Sequence, residues 1–403
     1  MHSQSLFFAE MLAYILAARL VLQHLPAGWR ELLFTLLNLG GLYLFFFQED
    51  DGRCLPTFLA YLGLVLICYL TLRLFVQKPG ALPWLAFFTP ILFLILIRYV
   101  PASVYGGPHR PYGPFFLGIS YLAFRSSYLV IEIRNGSVMT PGLLRYLGYC
   151  FFVPTMSVGP INPYGKYQGG FGSADARPPV GRAAVRLLVG LVKYKFLGSL
   201  FFQVTYATFL LDDHYHPWLD LPIAMVFYYL FLYCNFSGFC DMAIGAAGLI
   251  GIPVAENFDN PFAARNVKDF WNRWHITLST YMRDVVFAPL SKYLVRSMGP
   301  AYANHAIALT ITVVFLLVGV WHGVGWNYFI YGALHALGVV TNHYYTIGLK
   351  KWLGRERFKA YNENRWIRAA AVVLTFAYCA ASLMFFANSL PQIQAIFHVL
   401  RSS

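Results

Sequence analysis

The sequence predicts an all-α, polytopic integral membrane protein. Two observations carry that reading: the bulk composition, and the recurrence of apolar stretches long enough to cross a bilayer. Of 403 residues, 58% are hydrophobic and only 12% charged. A water-soluble domain carries about 25% charged residues, so this surface cannot face mostly water. The 36 Phe and 28 Tyr suit lipid contact and interfacial belts.

Apolar stretches recur at 6–23, 31–47, 56–76, 81–99, 114–132, 143–158, 187–211, 218–236, 304–321, 326–348 and 369–388. A helical span takes about 20 mainly apolar residues, which predicts about ten or eleven spans. The N-terminal stretch lacks a basic leader and a small-residue cleavage site, so it is read as a retained first span. Ile393 to Leu400 is too short to cross. Arg30 in the first loop, set against Gln48, Glu49, Asp50 and Asp51 in the second, places the N-terminus outside by the positive-inside rule.

The net charge of +13 does not point to nucleic acid. The basic residues fall between apolar runs, where they act as topology signals and contacts to anionic lipid headgroups. The segment 349–368, LKKWLGRERFKAYNENRWIR, reads as a short amphipathic helix on such a membrane face. Residues 159–186 are rich in Gly and Pro, which excludes a regular span there. The six cysteines form no CxxC pair and read as small packing residues. His214 and His216 with Asp212 and Asp213 sit in a short loop with no further ligand at metal spacing, so no metal site is predicted. No repeat or soluble domain interrupts the chain, and residues 1–403 read as one membrane-embedded domain.

Two places break the pattern. Residues 251–290 are dense in polar and charged groups yet carry Phe270, Trp271 and Trp274. On helical spacing Trp271, Trp274, Leu278 and Met282 share one face, and Arg273, Thr277, Thr280 and Asp284 another. Ionisable groups at membrane depth persist only when buried in protein or lining a wet cavity. The second place is His322. The uncharged run Ile307 to Trp321 precedes it, about 22 Å of helix, so this histidine lies deep in the bilayer if the helix crosses. Gly323 and Gly325 follow, where a helix can stop. An intramembrane ionisable group is a functional candidate. His335 is a weaker one.

FWNRWHITLSTYMRD at 270–284 followed by VWHGVGWNYFIYGALH at 320–335 resembles the signature of the membrane-bound O-acyltransferases (the MBOAT family). FSGFCDMAIGAAGLIGIPVAENFDNPF at 236–262 and FFVPTMSVGPINPY at 151–164 resemble the same family. The motif core lies at about 150–345. The resemblance implies a ring of membrane helices around a central tunnel that joins a cytoplasmic acyl-donor opening to an extracytoplasmic acceptor opening. It implies His322 as the catalytic histidine and His275 as the second active-site residue.

Two bacterial branches are compared. KDFWNRWH at 268–275 and the compact length are similar to the DltB-like D-alanyl transfer branch, whereas FSGFCDMAIG at 236–245 is similar to the AlgI-like polysaccharide O-acetyltransferases. Pro163 stands where the D-alanyl branch carries a basic residue. The implied activity is transfer of an acyl group, D-alanyl in the first branch, from a carrier-protein thioester to a hydroxyl of an extracytoplasmic polymer such as teichoic acid, or of a lipid-linked acceptor. The implied partner is an acyl carrier protein (DltC-like) bearing phosphopantetheine. No tightly bound cofactor is expected, and the implied location is the bacterial cytoplasmic membrane.

Acyl transfer to an alcohol needs a base for the hydroxyl proton, stabilisation of the oxyanion, and exclusion of water. Histidine suits the first task. Candidate partners of His322 and His275 are Asn272 and Ser279 for substrate or oxyanion, Lys268 and Arg273 for an acidic carrier or its phosphate, and Trp274 for packing at the substrate. A secondary transporter would also hold a deep histidine, but it would show interrupted spans at matching positions of two halves. The unusual segments here cluster at 159–186 and 251–335.

Overall fold

The computed structural model describes residues 4–47, 54–78, 80, 82–99, 118–172, 177–211 and 216–402. Its regular elements are helices, and the only β-type pairing among the described residues is an isolated bridge. The chain has an all-α polytopic membrane fold. Six helical runs among the described residues are long and apolar enough to cross a bilayer: Leu55–Phe75, Leu82–Tyr99, Val180–Leu211, Pro217–Ile250, Pro300–His322 and Arg365–Ala387. The chain falls into two compact units, one of residues 1–190 with 239–256 and the other of 191–238 with 257–403.

In the first unit, helices α1 (Gln4–His24), α2 (Ala27–Phe46), α3 (Cys54–Phe75), α4 (Leu82–Tyr99) and α5 (Ile119–Arg134) follow the apolar stretches. Residues 48–51, which carry the acidic side of the orientation argument, and 114–117 at the start of the fifth stretch lie outside the described residues. The stretch at 143–158 is a correction. Helix α6 covers only Leu143–Cys150, about 12 Å, and a 3-10 turn at Val153–Thr155 containing Pro154 ends it. Apolar composition there reflects burial in protein: Tyr146, Tyr149, Phe151 and Phe152 are all buried.

The Gly- and Pro-rich segment after it holds a short helix, α7 (Tyr164–Gly169). Its first N–H groups have no partner within the helix. Glu132 of α5 accepts from the N–H of Tyr164 at 2.9 Å and of Gly165 at 3.1 Å. Asn162 donates to the Pro253 carbonyl and accepts from the Ala255 N–H. Arg186 of α8 (Val180–Leu191) forks onto Asp241 and Glu256. Irregular backbone is therefore hydrogen-bonded internally, as an apolar surround requires.

The second unit contains the short helix α9 (Gly198–Phe202), the first part of α10 (Pro217–Ile250), then α11 (Val267–Arg273), α12 (Ile276–Met282), α13 (Ala288–Met298), α14 (Ala303–His322), α15 (Trp326–Glu363), α16 (Arg365–Ala387) and α17 (Leu390–Ser402). Helices α14 and α15 pack closely where Gly319 meets Gly332. A Cβ at position 319 would lie 2.5 Å from the Tyr328 carbonyl oxygen, and one at 332 would lie 2.5 Å from that of Phe315. The apolar face of α17, with Ile393, Ile396 and Leu400, packs into a core with Tyr206, Leu210, Ala224 and Met384. The basic segment 349–368 is not a separate helix. It continues α15, broken at Gly354 (φ 71°), and passes into α16. Trp352 and Trp366 are exposed there, as interfacial tryptophans are.

Candidate active site

The polar segment folds around a break that its helical spacing does not reveal. Asn266 caps α11 by accepting from the Asp269 N–H at 2.8 Å. The helix stops at Arg273. Trp274 is extended (φ −109°, ψ 129°), and His275 turns left-handed (φ 47°, ψ 51°) before α12 begins at Ile276. A non-glycine residue in that region costs of order 1–3 kcal/mol, so the surroundings must hold it. Residues 257–259 do so. Phe258 and Trp274 form the isolated bridge, Asp259 N–H bonds to Arg273 O at 2.9 Å, and Ile276 N–H to Asn257 O at 3.0 Å. The two faces expected of one continuous helix are thereby corrected: the residues before and after His275 belong to different helices.

Asn257 is almost fully buried. Its Oδ1 accepts from the Thr277 N–H at 3.1 Å and the Thr277 hydroxyl at 2.9 Å, and it lies 3.2 Å from Nδ1 of His275. The His275 ring is buried too, with Phe236 edge-on at 4.7 Å between centroids and Trp321 at 6.3 Å. Burial first, and the charge of nearby His322 second, hold its pKa down to about 3. The imidazole is therefore neutral at any physiological pH.

His322 is the last residue of α14. Its half-buried ring lies against Trp321 (4.6 Å), Phe386 (4.9 Å) and Tyr331 (5.9 Å). The helix stops because Gly323 is extended and Gly325 caps α15. Gly323 also admits no side chain: a Cβ there would lie 2.2 Å from the ring of Tyr328. His335 is different in kind. Trp271 Nε1 donates to its Nδ1 at 3.1 Å, and its Nε2 meets Ser382 Oγ at 3.1 Å. Both ring nitrogens are engaged in joining α11, α15 and α16, which is a structural role.

A cavity of about 480 Å³ is lined by sequence neighbours of the two histidines, though by neither His275 nor His322 itself. Lys268, Asn272, Ile276 and Ser279 line it from α11 and α12, and Ile311, Val314 and Val318 from α14. Ile276 adjoins His275, and Val318 lies one helical turn before His322. The lining is mostly apolar with a few polar groups, the usual character of a small-molecule site. Ser279 Oγ is buried with no hydrogen-bond partner among the described residues. Its place in the lining leaves it available to a ligand or water.

Besides the two histidines, two expected residues lie outside the lining. Arg273 is held by Asp269 at 2.9 Å and by the Asp259 carbonyl at 3.3 Å. Trp274 is buried among Phe270, Phe258 and Tyr233. Neither lines the cavity. Sequence reasoning did not single out Asn257, although it lies within the ENFDNPF stretch at 256–262. Phe386 and Ser382 carry no sequence signal at all. No cluster of three His, Cys, Asp or Glu groups suited to a metal occurs among the described residues. Asp212, Asp213 and His214 lie outside them, and the His216 N–H bonds to Asp220 at the start of α10.

A polytopic helical membrane protein with an apolar cavity, and with histidines next in sequence or one helical turn from residues that line it, has the parts to bind an acyl group away from water and take a proton from an alcohol. That class is reflected in known proteins. The profile described as MBOAT, membrane-bound O-acyltransferase family, matches residues 43–384. The chain is 33% identical over 290 residues to a teichoic acid D-alanyltransferase of Streptococcus thermophilus, which covers 68% of this chain and 69% of that one. It is 30% identical over 305 residues to a teichoic acid D-alanyltransferase of Bacillus subtilis, 74% of this chain and 75% of that one. It is 28% identical over 221 residues to a probable alginate O-acetylase of Azotobacter vinelandii, 54% of this chain and 42% of that one. The chain is a membrane acyltransferase. It belongs to the membrane-bound O-acyltransferase family.

Proposed function

We propose that this enzyme moves a D-alanyl group from the phosphopantetheine thioester of a cytoplasmic acyl carrier protein to a hydroxyl of an extracytoplasmic teichoic acid, across a bacterial cytoplasmic membrane. The observation that carries the reading is the cavity bounded by Ile276 and Val318, with Lys268 and the unpartnered Ser279 hydroxyl in its lining. Support for D-alanyl over acetyl comes from the relatives. The two D-alanyltransferases align over about 70% of both chains, whereas the alginate O-acetylase aligns over 54% of this one.

His322 acts as the general base. It takes the proton of the attacking hydroxyl as the oxygen–carbonyl carbon bond forms. The tetrahedral intermediate then collapses, the carbon–sulfur bond breaks, and His322 returns the proton to the leaving thiolate. His275 lies beside this step, and Asn272 and Ser279 orient the substrate. Lys268 meets the phosphate of the carrier arm. Arg273 and Trp274 support the site through their own packing. General-base catalysis contributes about 10²–10⁴-fold.

The test uses the full-length protein in lipid nanodiscs. Labelled D-alanyl carrier protein and acetyl carrier protein are supplied in parallel with lipoteichoic acid. The reading expects transfer of D-alanine and a loss of about 10²–10⁴-fold in His322→Ala, with the thermal midpoint retained. Near-normal turnover in that variant overturns the role of His322. Transfer of acetyl alone overturns the acyl assignment and favours a polysaccharide O-acetyltransferase.

A further inference from the structure

The roles of the two buried histidines follow from which nitrogen each ring has already committed. The Thr277 N–H can only donate, and it points at Asn257 Oδ1. That contact fixes the orientation of the Asn257 amide, so the oxygen, not the nitrogen, faces His275. An oxygen that accepts from Thr277 can meet a ring nitrogen at 3.2 Å favourably only if that nitrogen carries a proton. In a neutral imidazole the other nitrogen is then a bare lone pair. Trp271 imposes the opposite assignment on His335 by the same logic. An indole N–H donates to Nδ1, which leaves the proton on Nε2.

We propose that Asn257 is a positioning residue that holds His275 as the Nδ1–H tautomer, so that His275 presents Nε2 as a hydrogen-bond acceptor to a donor group of the bound acceptor other than the hydroxyl proton that His322 takes. This deepens the acyl-transfer reading and rests on it for the identity of the acceptor. It also assigns His275 away from the oxyanion, since a ring whose remaining nitrogen has no proton cannot donate to one. Among the described residues Nε2 makes no hydrogen bond.

The backbone supports the same assignment. His275 sits in a left-handed conformation at the turn between two short helices. Asn257 binds the turn and the start of α12: its carbonyl takes the Ile276 N–H, and its side chain takes Thr277 and the His275 ring. One buried amide therefore sets both where the ring stands and which nitrogen is protonated. Partners that orient metal-binding histidines change activity by about 10–100-fold when removed, and an effect of that size is expected here.

The experiment reads the tautomer directly. The protein labelled with ¹⁵N in its histidine rings is studied in nanodiscs by solid-state NMR, and the His275 signals are assigned by their loss in His275→Asn. A protonated Nδ1 and unprotonated Nε2 are expected. Asn257→Leu should release the tautomer and lower kcat about 10–100-fold at saturating acceptor, with KM for the carrier thioester unchanged. Asn257→Asp keeps an accepting oxygen in place, so the tautomer and most of the rate should return. An unprotonated Nδ1 in the unsubstituted protein overturns the proposal, whether or not the variants fold. So does an Asn257→Leu protein with normal kcat. A protonated Nδ1 that Asn257→Leu releases, in a protein that transfers neither D-alanine nor acetate, supports the positioning and overturns the proposed acyl group instead.

Discussion

Trp271 donates its indole N–H to Nδ1 of His335 across 3.1 Å, and the two rings meet nearly edge-to-face at 83°. The bond ties α11 to α15 inside the second unit. Trp271→Phe would keep the aromatic packing but leave Nδ1 of a fully buried ring without its partner. An unmet buried acceptor costs about 1–3 kcal/mol. We expect a thermal midpoint lowered by several degrees in detergent, with a smaller loss for Ser382→Ala, which removes only the hydroxyl at Nε2.

Gly323 controls His322 through two other side chains. The Tyr328 ring occupies the space where a Cβ at 323 would stand, Tyr328 packs on Phe386 at 5.7 Å, and Phe386 packs on His322 at 4.9 Å. Gly323→Ala should push the tyrosine ring outward and lower turnover. Adding Tyr328→Ala removes the clash, so the double variant should recover part of the loss. Turnover of the two single variants and the double variant gives the coupling. Strictly additive losses would show that Gly323 acts on something other than this ring.

The cavity makes a separate claim on kinetics. Val318 is buried and lines it one turn before His322. Val318→Phe fills part of the space and should raise KM for the thioester by tenfold or more, about 1.4 kcal/mol, while the acceptor KM stays constant. Lys268→Glu should raise the same KM more at low salt than at high salt, because screening weakens an exposed charge contact. An unchanged thioester KM in both variants would place the acyl donor elsewhere.

The depressed pKa of His275 has a defined sign for stability. The ordinary value is 6.5 and the folded value about 3. Above the ordinary value both states are neutral and the ring contributes no pH dependence. As pH falls below it, the unfolded chain gains a proton that the folded chain refuses, so stability is lost progressively toward pH 3. We expect the thermal midpoint to fall between about pH 7 and about pH 4, and His275→Asn to flatten that slope. An identical slope in the variant would mean that other groups carry the acid sensitivity.

The structure separates what residue order can state from what it cannot. Membrane residence and the placement of α3, α4, α14 and α16 were legible in the sequence. A run of apolar residues of bilayer length has few other uses, and hydropathy needs no knowledge of neighbours. His322 was legible for the same reason, as an ionisable group at the end of an uncharged helix. The stretch at 143–158 shows the limit of that argument: its tyrosines and phenylalanines are buried in protein, and composition alone does not distinguish lipid from a protein interior.

The arrangement around His275 was decided only in three dimensions. Helical spacing runs unbroken through 268–284, and nothing local in FWNRWH marks the left-handed turn. The turn is held because Asn257, 18 residues earlier, satisfies the groups after it, while Phe258 and Asp259 pair with those before it. Only the fold shows which of the expected residues share the cavity: Lys268, Asn272 and Ser279 line it, whereas His275, His322, Arg273 and Trp274 do not. The sequence by itself determined a helical membrane enzyme of this family with histidines at 275 and 322. Which nitrogen of each buried ring is protonated depends on hydrogen bonds between residues far apart in the chain, and only the folded structure brings those groups together.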